Sequence, residues 1–186
     1  MRIALVHGFN VKDGGKRTVD MLAPTLEDRG HDVDKDTMDY GYHNLIKVRF
    51  NNRDAIARIA GALEQADAVV THSNGGNYVM QAVRRTSSPI IIIHVSPALN
   101  RKIDVPPMVT HMRVMYSRHD MAVRCSRRFL WFGHPWGAMG AYGYKGQDSR
   151  VINEDHTAKI NGHSDWFTQE KAPETATHIA NILENL

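Results

Sequence analysis

The run IIIIHV, Ile90 to Val95, follows Pro89 and offers six residues with almost no polar alternation. A strand of that kind is covered on both faces, the condition met by a parallel sheet held between two helical layers. The rest of the chain fits this frame, because short apolar runs alternate with longer segments at helical spacing. RIALVH (2–7), DAVVTH (67–72) and MRVMYS (112–117) read as strands, a weaker strand is expected from Val33 to Met38, and a last one from Arg150 to Asn153. Helices are expected from Gly14 to Glu27, Arg53 to Gln65, Asn74 to Arg85 and Val123 to Phe132, with a closing helix from Pro173 to Leu183. The expected class is α/β: a three-layer α/β/α sandwich with a mostly parallel sheet of about six strands and no separate cap domain.

Composition sets the outer bounds. A chain of 186 residues, 42% of them hydrophobic, can bury one ordinary core, and residues 1–186 read as a single domain without repeats or linkers. Cys125 is the only cysteine, so neither an intramolecular disulfide nor a cysteine-pair zinc site can form, and a reducing compartment is implied. The first apolar stretch, Ile3 to Val6, ends at His7-Gly8, far short of a signal-peptide core or a membrane span of about 20 residues. A cytoplasmic protein with no membrane span is expected. A formal charge of +3 gives little pull on nucleic acid. Arg84 with Arg85, and Arg118 with Arg124, Arg127 and Arg128, read as solvated helix faces, or more sharply as contacts for an anionic group on a substrate.

Ligands of an open parallel sheet bind beyond the carboxyl ends of its strands. Those positions carry His7, Gly8, Phe9 and Asn10 after the first strand, Ser73 after DAVVTH, Asp120 after MRVMYS, and His163 after the last strand. A hydroxyl becomes a nucleophile near neutral pH when an imidazole takes its proton and a carboxylate holds that imidazole in the right tautomer. Ser73, His163 and Asp120 supply those three groups. The attacked carbonyl also needs N–H donors for its oxyanion, and the turn after Ser73 offers that of Asn74, while Gly8 lets the N–H of Phe9 come close.

These residues carry a family likeness. HGF near the start, HSNGG around Ser73, D-x-x-V from Asp120 to Val123 and the Gly162-His163 pair resemble the α/β-hydrolase superfamily, in a compact form that opens directly on the strand leading to HGF. The resemblance implies Ser73 as nucleophile on the strand-to-helix elbow, Asp120 as acid, His163 as base, and Phe9 and Asn74 as the oxyanion hole. It also implies a serine hydrolase of the esterase, lipase or thioesterase kind, acting on a small-molecule acyl compound without a cofactor. His7, Gly8 and Trp136 are candidate substrate-binding residues, and His7 also reads as a structural residue that hydrogen-bonds within the first loop. The family elbow is G-x-S-x-G, and this chain has Thr71 in place of the first glycine, a tighter fit.

Other readings remain at this level. Ser73 could cap a helix. The glycine-bearing turn could cradle phosphate, although neither the G-x-G-x-x-G spacing nor a Walker lysine is present. Thr71 could leave a hydrolase fold that binds without turnover. Asp104 rivals Asp120 as acid, and His156 and His134 rival His163 as base. Residues 132–148, FGHPWGAMGAYGYKGQD, form a Gly-rich aromatic loop that either flaps over the site or covers a sheet face. His111 and His119 straddle one strand, but no regular ligand spacing appears and no metal is expected.

Overall fold

The apolar runs become strands β1 (Arg2–Val6), β3 (Ala68–His72), β4 (Ile90–Val95) and β5 (Val109–Tyr116), flanked by the short β2 (Asp32–Asp34) and by β6 (Val151–Asp155). This computed structural model describes residues 1–34, 40–50, 52–126 and 136–186. The six strands form one sheet in the order β2-β1-β3-β4-β5-β6, and every pairing is parallel. Helices α1 (Ala23–Asp28), α2 (Leu45–Phe50), α3 (Arg53–Leu63), α4 (Gly75–Ala82), α5 (Met121–Ser126), α6 (Met139–Tyr142) and α7 (Ala172–Glu184) complete the described residues.

Strand alternation splits the core in two. Ala4, Val6, Val69 and Ile92 face α3 and α4, whereas Ile3, Leu5, Val70 and Ile93 face α1 and α7. Both faces of the central strands are thus dry, as the IIIIHV run requires. The chain leaves β1 for the β2 edge and returns past it to β3. The switch point falls between β1 and β3, whose carboxyl ends carry His7-Gly8-Phe9 and Ser73.

Several expected bounds shift. The helix expected from Gly14 to Glu27 is a 3-10 turn, Val19–Leu22, followed by α1, because Gly14 and Gly15 take φ of 70° and 107° and Pro24 sits at the start of the helix. The expected helix after Asp120 is observed as Met121–Ser126, and its continuation to Phe132 lies outside the described residues, as do Arg127 and Arg128. The strand expected from Val33 to Met38 is seen as Asp32–Asp34, and residues 35–38 also lie outside. The last strand runs Val151–Asp155 rather than Arg150 to Asn153. Among the described residues no helix is long and apolar enough to cross a membrane.

Candidate active site

Ser73 sits between the end of β3 and the start of α4 with φ of 55°, a left-handed conformation that non-glycine residues seldom adopt. Such a residue costs about 1–3 kcal/mol and persists only where its surroundings fix it. Its surroundings do so: Ser73 N–H donates to Val95 O at 3.3 Å, and Ser73 O accepts from Ala98 N–H at 3.0 Å and Gly76 N–H at 3.3 Å. The turn is also too tight for side chains on either flank. A Cβ at Gly75 would lie 2.5 Å from His7 O and 2.6 Å from Val6 O, and one at Gly8 would lie 2.8 Å from Ser73 Cβ.

Thr71 fits the elbow without the missing glycine. Its hydroxyl turns to the neighbouring strand and shares a 2.6 Å hydrogen bond with Nδ1 of the fully buried His94. Burial alone lowers the His94 pKa to about 3, so this ring is neutral and the pair is a polar link inside the core rather than an obstruction.

Asp120 and His163 meet. The carboxylate is fully buried, and its Oδ2 accepts from His163 Nδ1–H at 2.7 Å while its Oδ1 accepts from Val123 N–H at 2.9 Å, which fastens it to the first turn of α5. With Nδ1 committed as donor, His163 keeps Nε2 as a proton acceptor. His163 and Ser73 line the same cavity, of about 230 Å³, together with Phe9, Ala98, Ala122, Val123, Ser126 and Trp136. Of the rivals, His156 faces Glu154 at 3.5 Å, and the carboxylate that His163 meets is that of Asp120 and not that of Asp104. His134 lies outside the described residues.

Trp136 does more than line the cavity. Its Nε1–H donates to Asn74 Oδ1 at 2.6 Å, and its ring meets that of Phe9 edge-on at 5.1 Å between centroids. One side chain therefore braces both residues expected to supply the oxyanion N–H groups. The described part of the Gly-rich loop, from residue 136 onward, is pinned to the segment after β4 through Gly137 N–H to Ala98 O, Met139 N–H to Leu99 O and Gly140 N–H to Pro97 O.

His7 takes a different place from that expected of a substrate contact. It is buried, stacks on Tyr40 at 4.1 Å, and directs Nδ1–H to Gly8 O at 3.0 Å, so it shapes the β1 loop from behind and does not line the cavity. Tyr40 reinforces the same loop, its hydroxyl 2.7 Å from His7 O and 2.8 Å from Gly8 O.

His72 is a residue whose importance sequence reasoning missed. Its Nε2–H donates to the carbonyl of His163 at 3.1 Å, and the two rings lie 4.5 Å apart. It thereby supports the loop that carries the imidazole. No local signal reveals this, because the partner is 91 positions away.

The buried histidines make stability depend on pH. Burial, and then the neighbouring His163, puts His72 well below the usual 6.5; burial lowers His94, and His43 and His31 move the same way. A lowered folded-state pKa means that the unfolded chain binds more protons below pH 6.5, so stability is full above that value and falls as pH drops toward the folded pKa. Each fully buried ring should cost about 1.4 kcal/mol per pH unit in that window. Urea midpoints measured near pH 7.5 and about 5.5 should differ clearly, with the lower value at acid pH. Equal midpoints would contradict the neutral, buried state of these rings.

No family model and no curated protein matches the sequence. Solved structures do match its backbone. An extracellular α/β-hydrolase from a Paenibacillus species shares 12% identity at a TM-score of 0.61, over 97% of this chain and 98% of the other. A dienelactone hydrolase-like promiscuous phosphotriesterase from metagenomic libraries shares 14% at 0.59, over 100% and 86%. The esterase domain of a Rhodothermus marinus protein shares 12% at 0.55, over 99% and 86%. With a six-stranded parallel sheet, helices on both faces and a left-handed serine between β3 and α4, the chain has the α/β-hydrolase fold.

Proposed function

We propose that this protein is a serine hydrolase that cleaves a carboxylic ester or related acyl bond through a covalent acyl-enzyme. The observation that carries the reading is the 2.7 Å pair between His163 Nδ1 and the buried Asp120, with that imidazole and Ser73 on the wall of one cavity. In the scheme, Ser73 Oγ attacks the acyl carbon while His163 Nε2 takes its proton, and the N–H groups of Phe9 and Asn74 receive the oxyanion. The tetrahedral intermediate expels the leaving group, which departs with the proton held on His163. Water then attacks the acyl-enzyme, gives its proton to His163, and frees the acid and the serine.

Asp120 holds the imidazole in the donating tautomer at Nδ1 and balances the charge that forms on it. The cavity is open to a small acyl group, and its walls at Ala98, Ala122, Val123 and Trp136 offer apolar contact for that group.

A fluorophosphonate probe tests the proposal directly, because it phosphonylates only an activated serine. One label per chain is expected, on the peptide that contains Ser73. Absence of labelling in folded protein, or labelling elsewhere, would leave the fold without this reaction.

A further inference from the structure

A second cluster of chemically able side chains lies on the other end of the segment that carries His163. Glu154 and His156 are two positions apart at the end of β6, so strand alternation turns them to the same face, and α7 lays His178 across it. Their ligand atoms all fall within 4.8 Å of one another. His178 Nε2 is 2.6 Å and His156 Nε2 is 3.5 Å from the same oxygen, Glu154 Oε2, and the two rings stand 5.2 Å apart at 75°. The other oxygen, Oε1, faces Arg113 Nη1 at 3.6 Å, which orients the carboxylate and leaves Oε2 for the histidines.

We propose that Glu154, His156 and His178 bind one divalent transition-metal ion, with Zn²⁺ the best fit. Two imidazoles and one carboxylate suit this ion and not Mg²⁺ or Ca²⁺, which take oxygen donors. Bonds of about 2.0–2.2 Å in a tetrahedron put ligand atoms about 3.4 Å apart, so the 3.5 Å contact already fits, the 2.6 Å contact has to open by less than 1 Å, and the histidine nitrogens start within 4.8 Å of each other. His156 and His178 also line a cavity of about 80 Å³, which gives a water room to serve as the fourth ligand. The ion would fasten β6 to α7 at both ends of the stretch, residues 156–171, from which His163 projects. The histidine spacing in sequence hides this set, because its third member arrives on a helix 24 positions after Glu154.

The test is calorimetric titration of Zn²⁺ into the full chain after treatment with a chelator and desalting. One ion per chain is expected, and His178→Ala and Glu154→Gln should each weaken its affinity at least ~10-fold. His178→Ala is a mild change because that side chain is 42% exposed, and Glu154→Gln keeps the shape of the residue should the first variant unfold. His111→Ala, on β5, should bind as wild type does, which separates this site from binding by surface histidines. No Zn²⁺ uptake by the wild type, or uptake undiminished in both His178→Ala and Glu154→Gln, would overturn the proposal.

Discussion

Ser73→Ala is expected to lower kcat for a p-nitrophenyl ester by about 10⁶, the loss seen when a nucleophile that acts as one unit with its base is removed. KM should change little, since the walls at Phe9, Ala98, Val123 and Trp136 stay in place. The variant should also fold, because the elbow is fixed by the backbone bonds to Val95, Gly76 and Ala98 and not by the hydroxyl. A comparison of steady-state rates for wild type and variant decides the matter. Equal rates would remove Ser73 from the reaction.

Asp120→Asn should cost about 10⁴ in kcat by a different route. Asparagine can keep Oδ1 on Val123 N–H, so the start of α5 is preserved. At the Oδ2 position it presents an amide donor to His163 Nδ1, and the imidazole answers by carrying its proton on Nε2. The base then points an N–H at the serine and cannot accept. Matched unfolding midpoints with a collapsed kcat would identify the tautomer as the cause, whereas a variant with near wild-type kcat would show that the carboxylate does not govern the imidazole.

The sheet was legible because its strands are buried on both sides. Ile90 to Val95 and the runs around Val69 and Leu5 carry unbroken apolar character, and the structure keeps them as β4, β3 and β1. The edges were harder to read. β6, with the sequence VINED, lies at the rim of the sheet and bears charge, so it gives no clean pattern and its bounds shift by one or two residues. The stretch from Gly14 to Glu27 looked like one helix because Val19, Leu22 and Leu26 recur at helical spacing. Pro24 resets the backbone, and all three side chains still reach the core from a 3-10 turn and a short helix.

At the candidate site, chain order singled out Ser73, Asp120 and His163, and the last two meet. The supporting contacts could not be read in this way. Trp136 to Asn74, His72 to the His163 carbonyl, and Thr71 to His94 join residues 23 to 91 positions apart, and each depends on how loops fold back over the sheet. The residue types left His7 with two readings, a substrate contact or a structural hydrogen bond within its own loop, and the structure places it in the second. Histidine beside glycine after a strand looks the same whether the ring faces a ligand or a tyrosine.

The parallel arrangement also decides where the protein can be handled. All the proposed catalytic parts follow carboxyl ends of strands, whereas Met1 pairs its carbonyl with Asp32 N–H at 2.9 Å and Glu184 near the other terminus bonds Arg29. Both chain ends therefore emerge together at the opposite rim. A purification tag, a surface tether or a fused partner attached at residue 1 or residue 186 would hang beneath the sheet and leave the mouth of the cavity unobstructed.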